Sequence, residues 1–523
     1  MRRQKQQPKP KFRQRAARKS VQLLRTKRKL AKVQENVEKL RLLNESIAST
    51  AFEQKISGLP PKQRTAVRTC FEAASRKSSR GMTYDKMCVL ECVLMRMKSP
   101  QLYEHIRRHQ IMALPSKSCL DKHMQGFKGA FGFNPKVFSA LDQKTKDMDE
   151  FSVHGGLVFD ELKLSENIGV KASGEMTGFV DLGTFTEQDN KTSLSDHGLV
   201  IMFQPFQGRW TQILGVFSSR GNVKAPLLSK LLLEATILAE KSGLRVDYWT
   251  GDGAPWNRAL WKLLGIKARH LYMISDFPHL VKCVRNAFVS KGLQIPQGHV
   301  HVRPIREAWE NDRKTVALKV MPRITQAHVA PNAFKKMCVN LAFQLFSEEV
   351  LKGLFFYKSD LQPKFRSLEP TEHFVRLMER LIFVMSSRTP AKGLRPKSKS
   401  TEYLEEFIIF LSEWEEHAAK NGGGFLSPGT ALGLRVTLKS TLCLLDYLTS
   451  TLSFKYLLTA NLSQDKVENV FGIVRQSFGC NDHPTPEQFL TIINNLSFYS
   501  LARPPRGVNS QPELITALLE PSD

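Results

Sequence analysis

The 523-residue sequence holds no run of about 18 uninterrupted apolar residues, so no transmembrane helix is expected. Its amino terminus lacks the apolar centre that a secretory signal needs. Cysteine is scarce: the eight residues at 70, 88, 92, 119, 283, 338, 443 and 480 show no paired spacing. Free thiols in a reducing compartment are therefore expected, not a disulfide framework. No G-x-x-x-x-G-K-[ST] phosphate loop occurs. Acid is wholly missing from residues 1–29, which carry thirteen Lys and Arg. These absences argue against a helical membrane span, a disulfide-stapled secreted domain and a P-loop NTPase.

What is present is basic charge on a globular composition. Hydrophobic residues make up 41% and aromatics 9%, enough for a packed core. The net charge is +28, and 15 of those charges remain once residues 1–29 are set aside. The folded part is therefore basic too, which favours a polyanion and salt-dependent binding. Nucleic acid is the expected partner and no membrane is. Residues 1–29 read as a disordered basic arm of the nuclear-localisation or phosphate-binding kind, which points to the nucleus.

From Leu30 the spacing of Leu30, Val33, Val37, Leu40 and Ile47 predicts a short coiled-coil helix over 30–58. It can serve a homo-oligomer contact through residues 30–50 or pack on its own chain. Residues 62–145 read as an all-helical domain of the helix-turn-helix kind, with Pro100 opening one short helix and Ser116 capping the next. Cys88, Cys92, His105 and His109 match zinc-finger spacing. The cysteines fall inside a helical repeat, however, and Arg96 stands where a finger has an aromatic residue. No zinc is expected.

Residues 150–270 change character. Apolar runs broken by glycine, GGLVFDELKL, GFVDLG (178–183), LVIMFQPF (199–206) and RWTQILGVF (209–217), predict strands. PLLSKLLLEATILAEKSG (226–243) predicts a helix, and RVDYWTGDGAPWNRALW (245–261) a strand, Asp252 between glycines, and a new helix. An α/β core of βββαβα order with a mixed sheet, with Asp160 on its first strand and Asp252 just past its fourth, matches the RNase H-like arrangement. There, carboxylates on adjacent strands hold two divalent ions roughly 3.5–4 Å apart for in-line displacement at phosphorus. Mg²⁺ or Mn²⁺ suits such hard oxygen ligands. Alternation along the strand turns Glu161 away from that face. Trp249 and Trp256 read as core, and Asp181 as structural.

A mostly α-helical insertion over 271–457 splits this core. The core returns in residues 458–500, followed by a tail over 501–523. In LTANLSQDKVENVFGIVRQSFGCNDHPTPEQFL (458–490), Ser463 reads as a helix N-cap. Val467, Phe471 and Val474 form the buried face. Asp465 and Glu468, three apart, share a neighbouring one. Glu468 is the candidate third acid, with Asp465 or Asp482 as substitutes. Asp276 and His279 either stand near the site or anchor the insertion.

GLVFDELKL, GEMTGFVDLG, GDGAPWNRALW, DFPHLVKCVRNAF and SQDKVENVFGIVR together resemble the P-element transposase family and its THAP-domain relatives. KSPQLYEHIRRHQIMALPS resembles that family's helix-turn-helix region, and the resemblance covers roughly residues 65–495. It implies cut-and-paste DNA transposition, DNA strand cleavage and strand transfer. It makes Asp160, Asp252 and Glu468 the metal-binding catalytic acids and Asp465 an accessory acid. It also implies a GTP-binding insertion. Leu381–Arg388, where relatives carry an acid tied to guanine recognition, contains none, which counts against GTP. No counterpart of the family's zinc-coordinating THAP domain precedes the coiled coil. The alternative reading is a domesticated, catalytically silent nuclear DNA-binding protein.

Overall fold

The computed structural model describes residues 10–76, 81–124, 131–170, 174–208, 210–252, 271–315, 318–477 and 481–502. The first nine residues, the helix expected after Asp252 with Trp256, Cys480 and most of the tail lie outside them. Contacts divide the chain into two compact units, Met1–Leu120 and Asp121–Asp523.

In the first unit one 47-residue helix, α1 (Pro10–Ile56), runs through residues 10–29 of the expected disordered arm and on through the expected coiled-coil segment. Lysine, arginine, glutamine, alanine and leucine, which dominate residues 11–30, are all strong helix formers, so charge alone does not melt the segment. Leu30, Val33, Val37 and Leu40 are 43–63% exposed, so this stripe does not pack on its own chain. Arg68 and Glu53, with the rings of Phe52 and Phe71 tilted against each other at 4.6 Å, fasten α2 (Pro61–Ala74) to the end of α1. Asp85 caps α3 (Lys86–Lys98) through Met87 N–H, and Ser99 caps α4 (Pro100–Arg108) through Leu102 N–H. The hydroxyl of buried Tyr103 donates to the carbonyl of Pro115 at 2.8 Å, fixing the turn before α5 (Lys117–His123). Cys88 and Cys92 lie on the buried face of α3, whereas His105 and His109 are exposed on α4.

The second unit is built on a six-stranded mixed sheet. Its strands are β1 (Gly132–Phe133), β2 (His154–Lys163), β3 (His197–Pro205), β4 (Gln212–Ser219), β5 (Arg245–Gly251) and β6 (Tyr272–Ser275). They lie in the order β1-β4-β3-β2-β5-β6. β2, β3 and β4 pair antiparallel, while β5 runs parallel to β2 and β6 parallel to β5. The expected strand over 178–183 makes only two isolated bridges, Phe179 to Leu194 and Asp181 to Ser218. The left-handed Gly178 (φ 106°) folds that segment against the carbonyl of Asn167, too tightly for any Cβ.

α6 (Pro135–Thr145) joins β1 to β2, and α7 (Ala225–Lys241) returns the chain from β4 to β5, burying Leu228, Leu231, Leu232 and Ala235. The insertion begins with α8 (Phe277–Lys291) and continues through α9 (Arg303–Lys314), α10 (Glu369–Met385), α11 (Lys399–Lys420) and α12 (Pro428–Ser450). Phe288, Phe346, Phe374 and Trp414 interlock at its centre, with Phe374 and Trp414 edge to face at 5.5 Å. α12 lies along β6, where the Thr437 hydroxyl accepts Ser275 N–H at 2.9 Å. Gly433 lets it close on Leu280 of α8, since a Cβ there would stand 2.8 Å from that side chain. The chain then returns as α13 (Asp465–Gln476) and α14 (Pro486–Ala502). This is an RNase H-like core split by a helical insertion.

Candidate active site

The sheet register places the first two acids. Val158 of β2 pairs with Thr250 of β5, the last matched pair of that parallel ladder. Two residues further along come Asp160, still on β2, and Asp252, the residue after the end of β5, at the same level of the register. Neighbouring strands lie about 4.8 Å apart, a spacing suited to two carboxylates sharing ions. Both acids line one open pocket of about 100 Å³ with Phe159, Leu199, Asn222 and Leu228.

Desolvation by the surrounding protein pushes the Asp160 carboxyl well above the usual carboxylate range, and the charges of Asp252, Glu468 and Glu161 push it further. The N–H of Glu161, donating to Asp160 Oδ1 at 2.9 Å, works the other way. Glu161 also lines this pocket, contrary to the expectation from alternation. Its carboxylate accepts Val223 N–H at 2.8 Å and the Asn222 side-chain amide. It thus pins the loop entering α7 against the end of β2. Burial raises its proton affinity as well, and those two hydrogen bonds moderate the rise.

Glu468 stands in the first turn of α13 and is more open than Asp160. Desolvation and nearby Asp465 raise its proton affinity, while Lys282 of α8 and Arg475 of α13 lower it. Val467, Phe471 and Val474 form the buried face, as the spacing predicts. The N-cap is Gln464, one residue later than expected, because Gln464 rather than Ser463 accepts the first helical N–H, that of Glu468. The Ser463 hydroxyl still receives Asp465 N–H at 3.4 Å. Asp465 is turned toward Arg388, at 2.7 Å, so it faces the insertion. Asp482 is exposed.

The site has supports that periodicity does not reveal. Asp276 follows Ser275, which pairs with Gly251, so it stands just past β6 at the level that Asp252 takes just past β5. It is 3% exposed and accepts N–H groups from both His279 and Gln464 at 2.9 Å. Burial pushes its carboxyl up to about 7. His279 stands partly buried in the first turn of α8, beside Lys282. Trp249 is core, donating to Thr236 at 3.2 Å.

Among the described residues no three acid, histidine or cysteine side chains close round one point tightly enough to cage an ion. The donor set nevertheless fits Mg²⁺ or Mn²⁺, which take hard oxygens and keep several waters. Carboxylates clustered in partly desolvated surroundings favour a cation that offsets their repulsion. In the segment Leu381–Arg388, Ser387 is tied to Thr459 and Arg388 to Asp465.

Comparison with known proteins agrees with this architecture piece by piece. Residues 129–265 match the TNP-like RNase H N-terminal domain, 278–398 the TNP-like GTP-binding insertion domain and 461–492 the TNP-like RNase H C-terminal domain. DNA transposase THAP9 of Homo sapiens is 27% identical over 436 residues, 76% of this chain and 46% of that protein. The Transposable element P transposase of Drosophila melanogaster is 25% identical over 428 residues, 78% of this chain and 53% of that protein. The chain thus spans about half the length of these curated relatives. A solved structure, the Drosophila P element transposase strand transfer complex, superposes with a TM-score of 0.70 at 23% identity, over 89% of this chain and all of that one. With a split core, its insertion and the returning helix each matched in their proper order, the chain belongs to the P-element transposase family.

Proposed function

We propose that the chain catalyses divalent-metal-dependent phosphoryl transfer on DNA, cleaving strands and joining them to a target. Asp160, Asp252 and Glu468 hold the ions, Mg²⁺ or Mn²⁺, with Asp465 as an accessory acid. The parallel register that ends at the Val158–Thr250 pair, two residues before Asp160 and Asp252, carries this reading. When bound, the ions activate the attacking oxygen and stabilise the leaving one. The chain's own residues do the positioning. The two strands fix two carboxylates, α13 brings the third, and the Glu161–Asn222 tie holds the pocket wall. Lys282 and Arg475 set positive charge beside Glu468, where a DNA phosphate would approach.

The basic excess of +28 supports DNA as the polyanion and the nucleus as the compartment. α4, ending in His105, Arg107 and Arg108, supports a DNA contact in the helix-turn-helix region. The exposed apolar stripe of α1 supports a homo-oligomer. The match to a GTP-binding insertion domain supports a nucleotide site there, while the missing acid in Leu381–Arg388 argues for altered base recognition.

Cleavage assays on end-like DNA with Mg²⁺ or Mn²⁺ test the reading. Asp252→Ala should lower cleavage by about a thousandfold or more while DNA binding persists. DNA binding with no metal-dependent cleavage, in wild type and Asp252→Ala alike, would establish the silent DNA-binding alternative instead.

A further inference from the structure

The helix bearing Glu468 comes back to the sheet more than two hundred residues after Asp252. Three side chains dock the segment ahead of it. The Tyr248 hydroxyl and Gln204 Nε2 donate to the Asn461 carbonyl, both at 2.8 Å, and the Thr250 hydroxyl donates to Leu462 at 3.0 Å. Those bonds end two residues short of the cap. The cap itself is held separately. Gln464 Nε2 donates to the carbonyl of Phe159 at 2.6 Å, beside Asp160, and Gln464 N–H donates to Asp276 Oδ1. The Gln464 carbonyl accepts the N–H of Glu468 at 3.0 Å. Asp276 in turn caps α8 through His279 N–H, and its own N–H donates to the carbonyl of Gly251, beside Asp252, at 2.9 Å.

One continuous chain of hydrogen bonds therefore links the neighbours of all three acids. We propose that Asp276 and Gln464 form a positioning latch that sets the direction of Glu468 relative to the Asp160–Asp252 pair. The proposal rests on reading that trio as a metal site. Its physical basis is helical phase. Successive residues of an α-helix turn by about 100°, so a one-residue shift of the cap swings a first-turn side chain off its target. Asp276 receives two main-chain N–H groups at once, which a carboxylate can do with both oxygens. An asparagine there would present a donor to one of them.

Mn²⁺ binding to the full-length chain without DNA, followed by the electron paramagnetic resonance signal of free Mn²⁺, tests the latch. Asp252→Ala should abolish tight binding. Glu468→Gln should weaken it by about tenfold, and Gln464→Leu and Asp276→Asn should each weaken it by about the same factor, the range of outer-shell metal supports. The discriminating arm is the double variant: Gln464→Leu added to Glu468→Gln should cause no further loss, because both act through one carboxylate. A merely structural role would instead give additive losses that follow the melting temperature. If Asp276→Asn fails to fold, Gln464→Leu, whose main-chain bond to Asp276 survives, decides the matter. Latch variants that bind Mn²⁺ like wild type, or losses that add, overturn the latch alone. Asp252→Ala binding Mn²⁺ like wild type overturns the metal site and the latch with it.

Discussion

The carboxyls of Asp160, Glu161 and Asp276 are all raised, first by desolvation and then by neighbouring acids, with Asp276 reaching about 7. Each holds its proton more firmly folded than unfolded, so the folded state binds more protons across the window between the two values. For Asp276 that window runs from 3.8 to about 7. Without metal, stability therefore falls as pH rises through this range. Melting curves should show a lower transition at pH 7.5 than at pH 5, with Mn²⁺ restoring more at the higher pH. Asp160→Asn should raise the metal-free transition at pH 7.5 by about 2 °C, since it removes a carboxyl whose charged form burial and neighbouring acids disfavour, and should abolish the Mn²⁺ effect. An unchanged or lower transition would show that this penalty is not there. Asp160 was legible because the apolar run of a strand ends in it, and Asp252 because it stands between glycines just past another strand. Asp276 was legible only as a residue near the site or anchoring the insertion, and Gln464 not at all. Their bonds reach partners 188 and 305 residues away, and no local period encodes such a tie.

The elements that position the site are held to very different degrees. Thr250→Val should cost about 1–3 kcal/mol, because it removes the hydroxyl serving the buried Leu462 carbonyl. Tyr248→Phe should cost less, about 0.5–1 kcal/mol, since Gln204 still serves Asn461. Denaturant unfolding of the two variants gives the comparison, and the reverse order would contradict it. α1 is the opposite case, with its apolar stripe open to solvent. If the stripe joins two chains, Leu30→Lys combined with Val37→Lys should weaken self-association by about tenfold or more in sedimentation, since it puts charge on seam positions. Unchanged sedimentation would leave the stripe without that role. The start of α1 was misread because an acid-free run resembles a disordered arm, although its residues favour helix. The segment 178–183 was misread because two positive-φ glycines bracket it, a backbone property that its apolar residues conceal.

At the scale of the whole molecule, basic charge extends beyond the amino terminus, and DNA affinity should depend steeply on salt. Contacts to six or more phosphates would lower affinity by about a thousandfold between 50 and 200 mM salt. Electrophoretic mobility shifts across that range measure it, and flat binding would contradict phosphate contact. The split core was legible as an order of strands and helices. Its closure was not, because the returning helix docks through side chains onto main-chain carbonyls. That late docking bears on synthesis. A ribosome adding 5–20 residues per second needs roughly 10–40 s to travel from Asp252 to Glu468. Throughout that interval the emerging chain carries Asp160 and Asp252 without the helix that bears Glu468. On the proposed mechanism, cutting begins only after the insertion has been made in full. On that reading, a message broken between codons 121 and 464 would yield a chain that keeps the basic amino-terminal unit, Met1–Leu120, but lacks the helix that carries Glu468.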